Sequence, residues 1–320
     1  MQQLKSNLLD NPGSILHFGH GSDCSCIIHV AVVDKSTQEE KVTIDMESFH
    51  SHDLGGLHKL RGLIIDMDGV LWQGDLALPG LHRFFEVLQQ REIKFVLATN
   101  NNTQTPEGFV LKARRLGVEI TPEQVVTASI ATVHYLRLNY PPGSRIYVVG
   151  EAPLKGLIAE AGFTLAETEV AAVVATMDRQ LTYDMLKRAT LLIRRGADYI
   201  GTNPDASYPT QEGIVPGAGA ILAALSISSD RQPVIMGKPE SWIFKICMER
   251  MQLGPEETAS LGDRLSTDIV GAQRLGLKTI LVLSGVSTQA DLTSSSIQPT
   301  WVFTGIEELA QALGAKPEGS

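Results

Sequence analysis

Carboxylates stand in pairs at two points where an apolar run of the sequence ends. Asp66 and Asp68 follow the run 63–65, and Asp263 and Asp268 follow a second apolar segment. Several carboxylates held close together resist being ionised at once unless a cation compensates them. A hard cation with oxygen ligands, most simply Mg²⁺, relieves this repulsion and can hold a phosphate oxygen. One aspartate can then attack phosphorus and another can move protons, which is the chemistry of phosphoryl transfer.

Polar residues follow two further apolar runs. Thr99 and Asn100 come ahead of a predicted helix, where side-chain and backbone donors could hold a phosphate group. A helix N-cap is the alternative for Thr99, and the two roles are compatible. Lys238 follows a short apolar run and is a candidate phosphate clamp. For the first aspartate pair, the alternative is an ordinary Asp-rich turn in which Gly69 supplies a positive φ.

Strands alternate with helices from residue 61 onward. The patterns predict strands at 63–65, 93–98, 124–127, 234–236, 258–261 and 279–283, and helices at 81–90, 106–116, 241–252 and 269–275. This alternation predicts a parallel sheet covered on both faces, whose ligands lie beyond the carboxyl ends of the strands. The candidate residues should therefore meet at one edge of one sheet.

The middle of the chain repeats the alternation by itself. Strands are predicted at 145–150, 171–176 and 198–203, and helices at 153–161 and 183–195. We therefore predict an α/β fold, with a Rossmann-like parallel-sheet core and a smaller inserted α/β domain. The predicted divisions are an N-terminal extension (1–58), the core (59–127 and 232–313), the inserted domain (128–231) and a C-terminal tail (314–320).

The first 58 residues differ from the rest because they hold six of the eight histidines and two of the three cysteines. Five of these residues form what we call the histidine–cysteine cluster: His17, His20, Cys24, Cys26 and His29. Zinc binding is one interpretation, but the spacing matches no standard zinc motif. A loosely ordered extension, or a true start at Met46, is favoured instead. Short strands are predicted at 27–33 and 41–45.

Composition excludes several classes of protein. The 320 residues contain 27 basic and 36 acidic side chains, for a net charge of −9, which gives no basic surface for a nucleic-acid polymer. Three cysteines cannot build a disulfide framework, which favours a reducing compartment. Neither a signal-peptide pattern nor an apolar run of about 18–20 residues is found, so we expect a cytoplasmic protein without a membrane segment.

The motifs together resemble those of the haloacid dehalogenase-like hydrolases. The matching segments, in order, are Asp66-Met67-Asp68-Gly69-Val70, Thr99-Asn100, Lys238, and Gly262-Asp263 with Asp268. Within that family the chain is similar to the para-nitrophenyl phosphatase and phosphoglycolate phosphatase branch. The markers of the branch are Asp68-Gly69-Val70-Leu71-Trp72, Thr99-Asn100-Asn101, Asn203-Pro204-Asp205, Val215-Pro216-Gly217-Ala218-Gly219 and Gly237-Lys238-Pro239. The resemblance covers about residues 60–313.

The resemblance implies a role for each motif residue. Asp66 would be the nucleophile that forms an aspartyl-phosphate. Asp68 would protonate the leaving alkoxide and then activate the water that hydrolyses the intermediate. Thr99, Asn100 and Lys238 would bind the phosphoryl oxygens.

The same resemblance implies a Mg²⁺ site. The Asp66 carboxylate, the Asp68 carbonyl and Asp263 would hold the ion, and Asp268 would order the site from nearby. Spacing within the family indicates where the inserted domain, or cap, lies. Thirty-three residues separate Asp66 from Thr99, whereas 139 separate Thr99 from Lys238, so the insertion falls in the second interval. This argues against the phosphomutases, and the second aspartate of the first pair argues against a dehalogenase.

In the cap, the resemblance places Asn203, Asp205 and Tyr208 near the leaving group of the substrate. An Asn-Pro-Asp turn that serves only the shape of the loop is the alternative. Gly217-Ala218-Gly219 is predicted to begin a helix rather than to bind a dinucleotide. Cys247 is predicted to be a buried thiol, and the three tryptophans are predicted to be packing residues.

The implied function is a Mg²⁺-dependent phosphomonoesterase that hydrolyses a small phosphorylated metabolite. Two alternatives stay open: a phosphotransferase that uses the same site, and a metabolite-binding relative without turnover. Members of this branch often pair through their caps, so we expect that a homodimer can form, although no residue pattern requires it.

Overall fold

The computed structural model describes residues 54–210 and 212–315, together with the segments 15–16 and 30–31. The chain divides into two compact units, which meet at residues 54 and 55.

In the first unit, β1 (Ile15–Leu16) pairs antiparallel with β2 (Val30–Ala31). β2 lies within the predicted strand 27–33. Outside the described residues lie the histidine–cysteine cluster, the rest of that predicted strand, the predicted strand 41–45 and Met46.

A 3₁₀ helix at Leu54–Lys59 crosses the division of the chain, and the second unit contains the alternating strands and helices. Its strands are β3 (Gly62–Ile65), β4 (Trp72–Gln73), β5 (Leu76–Ala77), β6 (Lys94–Thr99), β7 (Val125–Thr127), β8 (Arg145–Val149), β9 (Thr164–Leu165), β10 (Ala172–Ala175), β11 (Asp198–Gly201), β12 (Ser207–Thr210), β13 (Gly213–Pro216), β14 (Val234–Ile235), β15 (Thr258–Gly262), β16 (Lys278–Val282) and β17 (Trp301–Phe303).

The α-helices follow the spacing of apolar residues. They are α1 (Leu81–Gln90), α2 (Pro106–Arg115), α3 (Ala128–Asn139), α4 (Ala152–Glu160), α5 (Tyr183–Arg194), α6 (Ala218–Ser229), α7 (Ser241–Met251), α8 (Val270–Gln273), α9 (Gln289–Ser294) and α10 (Ile306–Gly314). In α1, for example, Leu81, Phe84 and Leu88 are buried at helical intervals, as the sequence predicts. Across the described part of the chain, no helix combines the length and the apolar character needed to cross a membrane.

Six parallel strands form the larger sheet, in the order β17-β16-β15-β3-β6-β7. The chain leaves β3 toward β6 on one side and returns to the other side at β15. The strand order therefore reverses between β3 and β15, and in open α/β sheets this is where a ligand crevice opens beyond the carboxyl ends.

Five parallel strands form the smaller sheet, in the order β14-β11-β10-β8-β9. Its strands lie in the chain between β7 and β15, so the predicted α/β core with a smaller inserted α/β domain is confirmed. One strand differs from the predicted divisions, because Val234–Ile235 was assigned to the core but pairs with β11 of the inserted sheet. Local pattern identifies a strand, whereas the choice of sheet is made by a distant partner. The other domain limits stay a prediction.

One buried apolar cluster joins the two sheets. It contains Ile64 and Val96 from the larger sheet and Val148 and Val174 from the smaller one, together with residues of α3 and α7. Cys247 belongs to this cluster and is fully buried, as predicted. The two sheets therefore share part of their core, which fixes the position of one relative to the other.

Other predictions for single residues are also confirmed. Trp72 and Trp301 are buried in the core, and Trp242 packs edge-on against Tyr135. The segment Gly217-Ala218-Gly219 begins α6, as predicted.

Candidate active site

The two predicted aspartate motifs lie side by side at the carboxyl edge of the larger sheet. Asp66 directly follows β3, and Asp263 directly follows the neighbouring strand β15. The backbone N–H of Asp66 donates to the carbonyl of Leu261 at 2.8 Å, which continues the strand pairing up to the aspartate itself. The reversal of strand order thus brings together two carboxylates that are almost 200 residues apart in the chain.

Lys238 connects the two sheets at this point. It follows β14 of the smaller sheet, yet its Nζ lies 2.5 Å from Asp66 Oδ1 and 2.6 Å from Asp268 Oδ1. A third bond, of 3.0 Å, runs from Nζ to the carbonyl of Ala98 in β6. Burial by itself lowers the pKa of Lys238, but Asp268 and Asp66 outweigh this, so the lysine pKa lies above its ordinary value. The lysine is therefore a fixed cation that three hydrogen bonds hold at the strand ends.

Asp263 is buried, and its two oxygens differ. Oδ2 accepts a 2.7 Å bond from the backbone N–H of Val286, whereas the buried Oδ1 has no hydrogen-bond partner among the described residues. Burial, followed by the nearby Asp268, raises the pKa of Asp263 to about 6. Burial likewise raises the pKa of Asp66, although Lys238 opposes the shift. Both carboxyl groups therefore lack part of the stabilisation that their ionised forms need.

These observations fit a divalent cation. Asp66, Asp263 and Asp268 each offer a carboxylate oxygen, and these oxygens lie within 4.8 Å of one another. Lys238 is bonded to Asp66 and Asp268, and the charge of Arg264 acts on Asp263, so two positive charges face three carboxylates. Both oxygens of Asp268 are engaged, by Lys238 and by the backbone N–H of Arg264. The unpaired Oδ1 of Asp263 is thus a stronger candidate ligand than Asp268, in keeping with the outer role predicted for Asp268.

Asp68 lies apart from this cluster. Its side chain is 48% exposed, and its Oδ1 lies 3.7 Å from Nζ of Lys112 on α2. Gly69 turns the chain after it with a φ of 86°, and its N–H donates to the carbonyl of Trp72 at 2.8 Å. The Asp-rich turn considered as the alternative is therefore present. It places the Asp66 carboxylate beside Lys238 and leaves the Asp68 carboxylate half exposed.

Asn100 joins the strand end to Lys238 and to the cap. Its Oδ1 accepts a 2.8 Å bond from the Lys238 N–H, and its Nδ2 donates to the Lys238 carbonyl at 3.0 Å. Nδ2 also donates to Asp205 Oδ2 at 3.2 Å, and Asn203 Nδ2 donates to the Asn100 carbonyl at 2.8 Å. Burial raises the pKa of Asp205. The structure therefore brings Asn203 and Asp205 into contact with Asn100, while their place beside a leaving group stays a prediction.

Two of the predicted site residues, Tyr208 and Thr99, take no part in the hydrogen bonds described above. Tyr208 lies on the β12–β13 hairpin, and none of the hydrogen bonds found in the described part of the chain connects it with the carboxylates. Thr99 is buried at the end of β6 and accepts a 3.0 Å bond from the Asn101 N–H. The N-cap of α2 is Thr105, so the capping role considered for Thr99 is not what the structure shows.

Sequence reasoning gave no role to two residues near the site, Lys112 and Asn102. Asn102 Oδ1 accepts bonds of 2.7 Å and 2.8 Å from the N–H and hydroxyl of Ser129, at the start of α3. Its Nδ2 donates to Thr176 of the cap at 3.4 Å. For Asn102, the run of three asparagines after Thr99 was the sequence feature that could have indicated a role. Lys112 carried no comparable signal, because a lysine on a helix is usually a surface residue.

The comparisons with known proteins agree with this geometry. A family model described as haloacid dehalogenase-like hydrolase matches residues 63–164, and one described as HAD-hydrolase-like matches residues 235–309. The acid sugar phosphatase of Staphylococcus aureus is 36% identical over 258 residues, which are 80% of this chain and 99% of that protein. The chain therefore belongs to the haloacid dehalogenase-like hydrolases.

Solved structures give the same result. The 4-nitrophenylphosphatase of Thermotoga maritima has a TM-score of 0.78 and 36% identity, over 81% of this chain and 99% of its own. The glycerol phosphate phosphatase of Mycobacterium tuberculosis, in complex with calcium, has a TM-score of 0.74 and 29% identity, over 79% of this chain and 76% of its own. The predicted hydrolase family and its para-nitrophenyl phosphatase branch are thus confirmed.

Proposed function

We propose that this chain is a Mg²⁺-dependent phosphomonoesterase that hydrolyses a small phosphorylated metabolite through an aspartyl-phosphate on Asp66. The observation that carries the proposal is the cluster at the carboxyl edge of the larger sheet. There Asp66 lies 2.5 Å from the fixed ammonium of Lys238 and beside Asp263, whose Oδ1 is buried without a partner in the described part of the chain. The named activities of the relatives support the same reaction class.

Mg²⁺ would be held by the carboxylates of Asp66 and Asp263 and by the carbonyl of Asp68, with Asp268 holding Lys238 in place. When bound, the ion would offset the negative charge of the phosphoryl group and of the carboxylates. The oxygen-only donor set is the one that hard divalent cations prefer. Calcium in the mycobacterial relative supports a divalent cation but not its identity.

The reaction divides into two steps for the residues of this chain. In the first, an oxygen of the Asp66 carboxylate forms a bond to phosphorus, the ester P–O bond breaks, and the acid form of Asp68 gives its proton to the leaving alkoxide. In the second, the Asp68 carboxylate takes a proton from water, whose oxygen bonds to phosphorus as the bond to Asp66 breaks. Thr99, Asn100 and Lys238 would hold the phosphoryl oxygens throughout.

Sugar and polyol phosphates are the substrates that we propose to screen first, because relatives are named acid sugar phosphatase and glycerol phosphate phosphatase. We propose that Asn203 and Asp205 contact the leaving group from the cap; the bonds of both residues to Asn100 at the strand end support this. A cytoplasmic location and the pairing of two copies stay predictions.

The test is release of inorganic phosphate from para-nitrophenyl phosphate, with and without Mg²⁺, by the wild type and by Asp66→Asn. Asp75→Asn is the matched control, because Asp75 is exposed in the β4–β5 turn. We expect metal-dependent release by the wild type and the control, and loss of at least about a thousandfold in Asp66→Asn, as for removal of a nucleophile. Undiminished activity of Asp66→Asn would refute the proposal. Release of nitrophenolate that required a second acceptor, with the phosphoryl group found on that acceptor and not as inorganic phosphate, would indicate a phosphotransferase.

A further inference from the structure

Helix α2 carries a lysine that is buried. Lys112 is 8% exposed, whereas lysines are almost never buried without a charged partner. Its one ion pair within the described residues is with Asp68, at 3.7 Å between Nζ and Oδ1. The same Nζ lies 4.7 Å from the centre of the Trp72 ring. The lysine is therefore directed at Asp68, an aspartate of the site that Lys238 does not contact.

Asp68 has no other restraint of this kind. Asp66 and Asp268 are held by Lys238, but Asp68 is half exposed and accepts none of the hydrogen bonds found in the described part of the chain. A carboxylate on a flexible, solvated side chain exchanges among rotamers. Proton transfer to a leaving oxygen, however, needs a donor within about 2.6–3.2 Å of it. A contact that restrains the Asp68 carboxyl group would therefore favour proton transfer.

The position of Lys112 is fixed from the other direction by Trp72. The turn at Gly69 folds the chain back, so that the carbonyl of Trp72 accepts from the Gly69 N–H and the indole packs in the core at 1% exposure. An ammonium group over an indole face is attracted by the ring electrons. The ring and the carboxylate thus hold one cation between them, on a helix that belongs to the rigid core.

We propose that Lys112 is a positioning residue that holds the Asp68 carboxyl group toward the leaving oxygen of the phosphate ester. The proposal rests on the proposed function, because it gives Lys112 a part in the protonation step assigned to Asp68. The two lysines of the site then have different roles. Lys238 holds the nucleophile and the phosphoryl group, and Lys112 holds the acid.

The experiment compares Lys112→Met with the wild type on two Mg²⁺-supplied substrates, glycerol 3-phosphate and para-nitrophenyl phosphate. The value of kcat/KM reports the steps up to the aspartyl-phosphate, and nitrophenolate needs little protonation as it leaves. We expect kcat/KM to fall about tenfold or more for the alkyl ester and less than about threefold for the aryl ester, within the usual range for general acid catalysis. Lys245→Met is the matched control, because Lys245 also lies over a tryptophan, Trp242 at 5.6 Å, but is exposed on α7.

A double-mutant cycle with Asp68→Asn separates positioning from a general structural effect. If Lys112 acts through Asp68, Lys112→Met should have no further effect on kcat/KM in the Asp68→Asn background. An equal loss for both esters, or the same loss in both backgrounds, would overturn the proposal. If Lys112→Met does not fold, the same cycle is run with Lys112→Gln, which keeps a polar end. An inactive wild type or an active Asp66→Asn would instead overturn the proposed function.

Discussion

Replacement of Asn100 by alanine should destabilise the protein and displace the catalytic lysine together. The substitution removes three side-chain hydrogen bonds: two to the Lys238 backbone, of 2.8 Å and 3.0 Å, and one of 3.2 Å to Asp205. The bond from Asn203 is kept, because it is accepted by the Asn100 backbone carbonyl. The site is buried, so water does not replace the lost partners freely.

The magnitude follows from this count. A buried hydrogen bond contributes about 1 kcal/mol net, so the loss of three costs about 3 kcal/mol in the free energy of unfolding. For a domain of roughly this size, each kcal/mol shifts Tm by about 2 °C, so Tm should fall by about 6 °C. Because Lys238 loses both anchors on its backbone, we also expect kcat to fall about tenfold, which corresponds to about 1.4 kcal/mol in the barrier.

Thermal unfolding, monitored by circular dichroism, checks the expected change in Tm. The kcat measured on para-nitrophenyl phosphate checks the expected loss of activity. Asn139→Ala is the matched control, since Asn139 makes a single 2.8 Å bond to the Tyr135 carbonyl at the exposed end of α3. The control should change Tm by no more than about 2 °C and leave kcat unchanged. A Tm and kcat for Asn100→Ala equal to those of the control would refute the idea that Asn100 holds the lysine in place.

Two further predictions concern Asp263 and the buried thiol. A Cβ added at Gly285 would collide with the Asp263 carboxylate. Gly285→Ala should therefore weaken Mg²⁺ binding, measured by calorimetry, at least tenfold. The control Gly156→Ala, where a Cβ meets open space, should bind Mg²⁺ as the wild type does. Equal affinities would contradict the assigned ligand. Burial raises the pKa of Cys247 to about 12, so its thiol stays protonated as pH rises through 9, while the unfolded thiol ionises. The free energy of unfolding should therefore fall between about pH 9 and 12. In a variant whose only cysteine is Cys247, alkylation at pH 8.5 should occur only when the protein unfolds. Rapid alkylation of the native protein would contradict this, because it would show an accessible thiolate.

Much of the site could be predicted because a parallel sheet gathers its strand ends. The apolar runs before Asp66, Thr99 and Asp263 each predict a buried strand, and the carboxyl ends of such strands meet at one edge. Nothing more than local pattern is needed to place these residues together. Lys238 was placed correctly near them, although it arrives from β14 of the inserted sheet rather than from the core.

The remainder depended on distant contacts that no local pattern records. The pairing of Val234–Ile235 with β11 is decided by the position of a strand more than 30 residues earlier. The residue type of Lys112 gives no reason to expect burial, because lysines are almost never buried without a charged partner. It is buried where its ammonium group lies over the Trp72 ring and beside Asp68. The bonds of Asn102 to Ser129 and Thr176 likewise require the cap to be in place. Side-chain networks between elements thus lay beyond the sequence.

If Asp66 carries the phosphoryl group during turnover, the aspartyl-phosphate can be trapped. Asp68→Asn should slow hydrolysis of the intermediate more than its formation from para-nitrophenyl phosphate, since nitrophenolate leaves without an acid. Acid quenching and mass spectrometry of this variant should then find one added phosphoryl group on the peptide that contains Asp66, at its carboxylate. A phosphoryl group on another residue, or none during continued release of nitrophenolate, would contradict the account.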